Sequence, residues 1–204
     1  MNDTIEKIAF HYDELVKEGN DPFRDPPEMQ EYMAEWDGED FFSMLNLSGR
    51  ENVLEIGCGT GRLAENVLPV CRAYTGLDVS SRTLARARIN LAAVPGTPDR
   101  NFICGAFPYC LIPGKFDVIY SSLTFLHIED KTAAMASLAS HLEPGGRIVL
   151  SLDKTRTEDI EYIDRLVPVF PDNPVRLKKA SAGTALKFAK RIEKEKATLL
   201  LLTF

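Results

Sequence analysis

The sequence predicts an α/β protein built on an open, mostly parallel β-sheet, and three observations lead to this fold class. From residue 52 onward, short apolar segments alternate with amphipathic segments of helical length, as they do when crossover helices join parallel strands. The strand interiors around Val53 and Val118 are nearly continuous apolar runs, which is typical of strands covered on both faces. A glycine-rich turn directly follows the first strand, at 57–61. We therefore expect a three-layer sandwich with helices on both sides of the sheet.

The first fifty residues are predicted to form a helical cap. Apolar side chains recur at helical spacing in residues 4–18 and again in 27–36, where a proline stands at the start. A third short helix is expected within 37–47. Because no strand pattern occurs in this region, we interpret residues 1–50 as an appendage to the sheet.

The core elements follow in alternation. Strands are expected at 52–57, 73–78, 101–105, 116–122 and 146–153. Helices are expected within 61–70, 80–93 and 131–142. The segment 142–147 is expected to be a turn, in which Gly145 and Gly146 permit positive φ.

The carboxyl-terminal part departs from this alternation. A helix is expected within 173–183, followed by strands at 184–193 and 196–204 that only two residues separate. So tight a connection requires an antiparallel hairpin. We expect one domain over residues 1–204, in which the cap (1–50) precedes a cofactor-binding core (51–155) and a carboxyl-terminal helix and hairpin (156–204).

Composition argues against several classes of partner. The formal net charge is −6 and the pI is about 5.2, so we expect no nucleic-acid partner, which would require a basic face. We also expect no membrane partner and no secretory signal, because the amino terminus is charged from Asp3 and the longest apolar stretch, 197–204, is too short to span a bilayer. Four cysteines without a CxxC pair favour free thiols in the cytoplasm, and three scattered histidines predict no metal site.

The glycine-rich turn and an acidic residue predict a nucleoside ligand. Gly57, Gly59 and Gly61 follow the first strand, and Asp78 ends the second strand, 21 residues beyond Gly57. In open α/β sheets such an acidic residue accepts hydrogen bonds from ribose hydroxyls. The fold is therefore interpreted as Rossmann-like. The alternatives are a purely structural turn at the glycines and a role for Asp78 as the cap of the following helix, which is compatible with ligand binding.

Two details indicate which nucleoside is bound. Position 62 is Arg, whereas a dinucleotide fingerprint has glycine there. Glu55 precedes the first glycine by two residues, and its charge would repel a pyrophosphate but attract an ammonium or a sulfonium. S-adenosylmethionine carries an adenosine and both cationic groups and has no phosphate, so it fits both details.

These segments together resemble the class I S-adenosylmethionine-dependent methyltransferases. The resemblance covers about residues 50–155 and consists of VLEIGCGTGRLA, YTGLDVS, FDVIYSSLTFLHI and LEPGGRIVLS in the family's order and spacing. The carboxyl-terminal hairpin resembles the family's last two strands, one of which is inserted antiparallel into the sheet. The resemblance therefore implies a mostly parallel, seven-stranded sheet and methyl transfer from S-adenosylmethionine, with S-adenosylhomocysteine as product and no metal.

The resemblance also implies roles for individual residues. Asp78 would hold the ribose and Glu55 the ammonium group, and Tyr12 belongs to an aromatic helix that would close over the site. At Ala106 the chain departs from the family, which often has Asp there, so backbone groups alone would contact the adenine amino group. The remaining residues expected at the cofactor are Gly57, Cys58, Gly59, Gly61, Val79, Phe107, Ser121, Ser122 and Leu123.

The acceptor is less closely defined. If a general base is needed, His127 is the first candidate and Tyr12 the second; packing roles for both side chains remain alternatives. Aromatic residues in the cap and the acidic charge favour a small, partly apolar acceptor. A nicotinamide-dependent oxidoreductase and a non-catalytic protein that binds S-adenosylmethionine are the alternative functions.

Overall fold

The computed structural model describes residues 3–204, so Met1 and Asn2, where the predicted cap begins, lie outside the described residues. A seven-stranded sheet has the order β3-β2-β1-β4-β5-β9-β8. Its strands are β1 (Asn52–Ile56), β2 (Ala73–Asp78), β3 (Arg100–Cys104), β4 (Phe116–Ser122), β5 (Leu142–Asp153), β8 (Lys187–Glu193) and β9 (Ala197–Thr203). Strands β1 to β5 pair in parallel, and β9 pairs antiparallel with both β5 and β8. The expected mostly parallel seven-stranded sheet with an inserted antiparallel strand is confirmed.

Seven α-helices accompany the sheet in the described part of the chain. They are α1 (Asp3–Lys17), α2 (Pro27–Asp37), α3 (Glu39–Leu45), α4 (Ala64–Val67), α5 (Ser81–Leu91), α6 (Lys131–His141) and α7 (Pro174–Ala180). Local sequence explains several of their starts: the side chains of Ser80, Asp130 and Asn173 accept hydrogen bonds from backbone N–H groups in the first turns of α5, α6 and α7. None of the helices in residues 3–204 is both long and apolar enough to cross a membrane.

Successive residues of the central strand bury their side chains on opposite faces of the sheet. Val53 packs in the cluster that includes side chains of α2 to α5, whereas Leu54 and Ile56 pack with side chains of α6 and α7. Helices therefore cover both faces, and the three-layer arrangement is confirmed. Trp36 belongs to the first cluster, where its Nε1 donates a hydrogen bond to Asp153.

Two local expectations are corrected. The segment 142–147, expected to be a turn, is the beginning of β5, and of its two glycines only Gly145 has positive φ. This extension is irregular, because the register between β4 and β5 shifts after Phe116. The structure also contains an unexpected hairpin formed by β6 (Ile160–Tyr162) and β7 (Arg165–Val167).

The order of the strands positions a crevice at the end of β1. Strand β2 lies on one side of β1 and β4 on the other, so the chain connections leave β1 in opposite directions. Ligands bind at such a switch point in open α/β sheets. Helix α1 and the β6–β7 hairpin contact each other and contribute residues to the wall of this crevice.

Candidate active site

A cavity of about 460 Å³ lies at the carboxyl ends of β1, β2 and β4. The glycine loop forms one wall, and α1 and the β6–β7 hairpin contribute to the opposite side. Its volume is in the range typical of sites for small molecules. The cavity is therefore the candidate ligand site.

Gly57 begins the glycine loop in a conformation that only glycine accepts without strain. Its φ is +75°, and a Cβ atom added to it would lie 1.9 Å from the Oγ1 atom of Thr124. The loop after β1 and the loop after β4 therefore meet at this point without space for a side chain. This close approach positions the two loops, both of which line the cavity.

The first backbone N–H groups of the loop are already used within the protein. Gly57 and Cys58 both donate to the carbonyl oxygen of Leu77, at 2.7 and 3.0 Å, and Gly59 donates to the carboxylate of Asp78 at 3.0 Å. A loop that cradles phosphates needs such groups free to point at the ligand. This loop instead binds itself to the end of β2.

Two residues expected at the cofactor lie outside the cavity wall. Gly61 has a φ of +99°, and an added Cβ would lie 2.9 Å from the side chain of Leu91, so the third glycine permits close packing of the loop against α5. Ser121 is buried and donates a hydrogen bond to the carbonyl oxygen of Ile56 at 2.9 Å. Both residues support the site without facing it.

Asp78 connects the glycine loop to the beginning of α5. One carboxylate oxygen accepts the N–H group of Gly59, and the other accepts that of Ser80 at 2.9 Å. The cap of α5 is Ser80, which accepts a hydrogen bond from the N–H group of Thr83, so Asp78 is not the capping residue. Burial raises the pKa of Asp78, and its backbone donors partly oppose this shift. Each oxygen keeps a lone pair for a further donor.

Glu55 is a buried carboxyl group in the cavity wall. Its Oε2 accepts hydrogen bonds from the hydroxyls of Tyr74 and Tyr120 at 2.5 and 2.8 Å, whereas Oε1 has no hydrogen-bond partner within residues 3–204. Burial raises the pKa of Glu55 from its ordinary value of 4.5 to about 8. A nearby cation would stabilise the ionised form.

Arg62 does not point into solvent, contrary to the simplest interpretation of a charged residue beside a helix. Its Nη1 and Nη2 donate to the two carboxylate oxygens of Asp37, at 2.9 and 2.6 Å, and only 15% of its side chain is exposed. The hydroxyl of Ser122 also donates to Asp37, at 2.6 Å. The bidentate pair neutralises both charges and connects the end of α2 to the glycine loop.

The two candidates for a general base form one hydrogen-bonded pair. The Tyr12 hydroxyl lies 2.9 Å from Nε2 of His127, and the Nδ1 atom of His127 lies 3.0 Å from the carbonyl oxygen of Pro168. Since a carbonyl only accepts, Nδ1 carries the proton, and Nε2 accepts the hydrogen bond from Tyr12. Burial lowers the pKa of His127 to about 4 and raises that of Tyr12 to about 12, so both are neutral at pH 7.

The remaining predicted residues also line the cavity. Burial raises the pKa of the Cys58 thiol well above its ordinary value, so the thiol stays protonated. Leu123 has a φ of +55°, which turns the chain sharply after β4. The residues of this group are Cys58, Val79, Ala106, Phe107, Ser122 and Leu123.

Within residues 3–204, no group of three or more potential metal ligands occurs.

An arginine of the hairpin holds helix α1 in place over the cavity. Arg165 donates through Nε to Nδ1 of His11 at 3.0 Å and through Nη2 to Glu18 at 2.8 Å. Its guanidinium also lies over the ring of Tyr162, 4.8 Å from the centroid. The imidazole of His11 packs edge-on against Tyr12 and Tyr162.

Sequence reasoning missed several residues of this site. The hairpin is three residues per strand, too short for a periodic signal, and its position over α1 depends on tertiary contacts. The charged site residues of the cap and hairpin lie in segments rich in charged residues. The sequence pattern there does not distinguish a side chain that faces the cavity from one that faces solvent. The missed residues are His11, Asp37, Arg156, Tyr162 and Arg165.

The glycine loop, the acidic end of β2 and the cavity beside them have the arrangement typical of nucleoside-binding α/β proteins. Residues 54–148 match the family model described as a methyltransferase domain. Over these residues, which are just under half of the chain, the chain therefore resembles methyltransferase domains.

Solved structures share this fold. The chain resembles DhpI in its complex with SAH, with a TM-score of 0.75 and 18% identity, over 99% of this chain and 97% of that one. It resembles magnesium protoporphyrin IX methyltransferase from Synechocystis, solved with bound S-adenosylmethionine, with a TM-score of 0.70 and 15% identity over the same shares.

Curated relatives match over a shorter region. The ubiquinone biosynthesis O-methyltransferase of Thiobacillus denitrificans is 30% identical over 129 residues, which are 60% of this chain and 55% of that protein. The malonyl-[acyl-carrier protein] O-methyltransferase of Magnetococcus marinus is 32% identical over 110 residues, which are 52% and 39% of the two chains. The chain thus spans about half the length of the curated relatives it matches.

Proposed function

We propose that this protein transfers the methyl group of S-adenosylmethionine to a small-molecule acceptor by direct in-line displacement. Two features of one cavity wall carry the proposal. The first N–H groups of the glycine loop are already hydrogen-bonded within the protein, and the buried carboxyl group of Glu55 lies in the same wall. A phosphate finds the first N–H groups of this loop already bonded, whereas a bound cation favours ionisation of Glu55, whose pKa is about 8, and is then attracted by the carboxylate. A pyrophosphate compound is therefore the wrong ligand, and a cationic nucleoside fits.

The cavity residues suit the parts of this cofactor. Asp78 has lone pairs available for the ribose hydroxyls, and Oε1 of Glu55 is available to the ammonium group, directly or through water. Val79, Ala106 and Phe107 supply a mostly apolar surface for the adenine. When bound, S-adenosylmethionine supplies a methyl group on a positively charged sulfur.

The pair of Tyr12 and His127 supports an acceptor that must lose a proton, such as a hydroxyl. In this proposal the acceptor O–H group donates to the Tyr12 oxygen, and the Tyr12 hydroxyl donates to Nε2 of His127. The carbonyl oxygen of Pro168 accepts the proton on Nδ1 and so keeps His127 in the tautomer with a free acceptor at Nε2. As the acceptor oxygen forms its bond to carbon, its proton moves to Tyr12 and the tyrosyl proton moves to His127. The curated relatives, which are named O-methyltransferases, support the same choice of atom.

The protein's remaining contribution is alignment and exclusion of water. Helix α1 and the β6–β7 hairpin contribute to the wall of the cavity, and Arg165 binds one to the other. Holding the acceptor behind the S–CH₃ bond lowers the entropic part of the barrier. The four free cysteines support the further proposal of a cytoplasmic location.

Isothermal titration calorimetry with S-adenosylmethionine, S-adenosylhomocysteine and NAD tests the proposal. We expect both adenosyl compounds to bind and NAD not to bind. Glu55→Gln keeps acceptors and donors of the same shape but cannot ionise, and we expect it to weaken S-adenosylmethionine by about 10-fold, as the loss of one charged contact does. Binding of NAD alone would overturn the proposal. Binding of the adenosyl compounds without turnover of any hydroxyl acceptor would favour a non-catalytic role.

A further inference from the structure

The cavity wall contains two carboxyl groups and two arginines. Glu55 and Asp78 lie at the ends of β1 and β2, where the nucleoside is proposed to bind. Arg62 is neutralised by Asp37 through both of its terminal nitrogens. Arg156 lies beyond the end of β5, on the other side of β1 in the sheet order. The part of the wall left to the acceptor therefore contains a cation and none of the wall's carboxylates.

Arg156 is held in place but keeps most of its donors. Its Nη1 donates to Oδ2 of Asp153 at 2.8 Å, and its guanidinium lies 5.8 Å from the ring centre of Trp36. The other carboxylate oxygen of Asp153 already accepts hydrogen bonds from Trp36 and Thr155. Within residues 3–204, Nε and Nη2 of Arg156 have no hydrogen-bond partner. This single-nitrogen contact contrasts with the bidentate pair at Arg62, and it leaves a fork able to bind an oxyanion.

His11 supplies a second donor to the same region. Because Arg165 donates to its Nδ1 atom, the proton of the neutral imidazole lies on Nε2. This Nε2 has no hydrogen-bond partner within residues 3–204, and His11 lines the cavity beside Tyr12. The ring of His11 lies 5.1 Å from that of Tyr12, which in turn lies 5.6 Å from that of His127, and Arg156 lines the same cavity. The two donors therefore share the surroundings of the proposed proton-accepting pair.

We infer that the methyl acceptor carries a carboxylate, which Arg156 binds through Nε and Nη2 and to which His11 donates from Nε2. The inference rests on the proposed function, of which it specifies the substrate class. The acceptor's hydroxyl then lies at Tyr12, and its apolar body contacts the aliphatic side chains of the cavity wall, which include Ile8, Leu126 and Ile160. A carboxylate matches the planar fork of a single arginine, and a neutral ester or amide leaves that fork without an anionic partner.

Calorimetry with the three isomers of hydroxybenzoate and their methyl esters tests this inference. These probes combine an apolar body with a hydroxyl, and the esters remove only the charge. Each is titrated into the full chain with and without S-adenosylhomocysteine. We expect at least one acid to bind, and to bind about 10-fold or more tightly than its ester. Arg156→Gln should weaken that acid by about 10- to 100-fold, and Arg156→Lys should weaken it less.

Two controls separate this inference from the proposed function. Arg191→Gln removes a half-exposed arginine from β8 at the edge of the sheet and should leave the affinity for the acid unchanged. The affinity of Arg156→Gln for S-adenosylhomocysteine should stay within 2-fold of the wild type, which shows that the variant is folded. A failure of S-adenosylhomocysteine to bind the wild type contradicts the proposed function. Failure of every acid to bind, esters that bind as tightly as acids, or an Arg156→Gln variant with unchanged affinity for the acid overturns the inference.

Discussion

At the scale of single residues, the site depends on a few groups whose surroundings change their ordinary properties. Glu55 has a pKa of about 8 because it is buried, an effect that the hydrogen bonds from Tyr74 and Tyr120 only partly oppose. His127 has a pKa of about 4 because burial disfavours its cationic form. Gly57 occupies a point where two loops meet without space for a Cβ atom. Substitutions that alter little volume at these positions should therefore have large effects.

Glu55→Gln should remove a pH dependence of the protein's stability. Because the folded pKa of about 8 lies above the ordinary value of 4.5, the folded protein binds more protons than the unfolded chain between these values, and its stability falls as pH rises toward 8. The wild type should lose up to about 1.4 kcal/mol per pH unit relative to the variant in this window. Urea unfolding at pH 5, 6, 7 and 8 measures the difference. Glu65→Gln, at an exposed position of α4, should keep the wild-type slope; parallel slopes for wild type and Glu55→Gln would contradict the assignment.

Gly57→Ala should destabilise the protein more than a substitution at another glycine of similar conformation. Gly114 also has positive φ, +82°, but an added Cβ there meets nothing within 4 Å. Gly114→Ala should therefore cost only the conformational term of about 1 kcal/mol, whereas Gly57→Ala adds a clash with Thr124 and should cost about 3 kcal/mol or more. Urea unfolding gives both values. Equal losses would show that the two loops separate without cost.

At the scale of elements, helix α1 is held at both sides of the cavity. Oδ1 of Asp13 accepts hydrogen bonds from the hydroxyl of Ser80 at 2.5 Å and from the N–H group of Arg82 at 3.0 Å, at the beginning of α5. On the other side, Arg165 of the hairpin binds His11 and Glu18. The helix is thus attached to two elements that are distant in sequence, and its closure over the cavity depends on polar contacts.

Asp13→Ala should loosen α1 without unfolding the sheet. The loss of two hydrogen bonds at the start of α5 should cost about 1 to 2 kcal/mol locally. We expect faster amide hydrogen exchange in residues 3–17 and about 10-fold weaker binding of S-adenosylhomocysteine. The affinity falls because part of the binding free energy is then used to order α1 over the cavity. Asp3→Ala removes an exposed carboxylate that pairs with Lys7 and should change neither quantity. Unchanged exchange in the Asp13 variant would show that the contact does not hold the helix.

At the scale of the whole molecule, one buried ion pair binds the segment that orients His127. Nζ of Lys131 donates to the carbonyl oxygens of Phe125 and Phe170, at 2.5 and 3.0 Å, and lies 3.0 Å from the carboxylate of Asp172. Both side chains of the ion pair are almost fully buried. The pair joins the turn after β4 to the segment 168–172, whose first carbonyl holds the imidazole.

Lys131→Met should be more damaging than removal of both charges. The single variant leaves the carboxyl group of Asp172 buried without its cation and should cost about 3 to 5 kcal/mol, whereas Lys131→Met combined with Asp172→Leu should recover much of the loss. Urea unfolding of the wild type, both single variants and the double variant closes the cycle. A double variant with the summed loss of the two single variants would mean that the charges do not interact.

The fold was predictable because its signals are local and repeated. The central strands β1 and β4 are apolar runs of strand length, and the antiparallel hairpin of β8 and β9 follows from its short connection. Local sequence does not predict the β6–β7 hairpin, because its short strands are stabilised by contacts with α1. The start of β5 contains the turn-forming residues Pro144 and Gly145, so the sequence predicts a turn where the structure has an irregular pairing with β4. Tertiary contacts there override local preference.

The site was predictable in part, for the same reason. The positions of Glu55, Asp78 and the first two glycines in the strand pattern predict one cavity wall. Tyr12 and His127 are predicted only as separate candidates for a general base, and their 2.9 Å contact is seen only in the structure. The sequence predicts Gly61 and Ser121 at the cofactor, whereas in the structure both pack behind the cavity wall. Spacing alone does not distinguish a residue that faces a ligand from one that supports its neighbour.

The position of β9 has a consequence for synthesis on the ribosome. This strand is made after the other six strands of this sheet, yet it lies between β5 and β8 and forms hydrogen bonds with both. Until it emerges, β5 has an unpaired edge and β8 has no partner in the sheet, and such edges invite aggregation of nascent chains. Chains that stop before residue 197 should therefore depend on chaperones or be degraded.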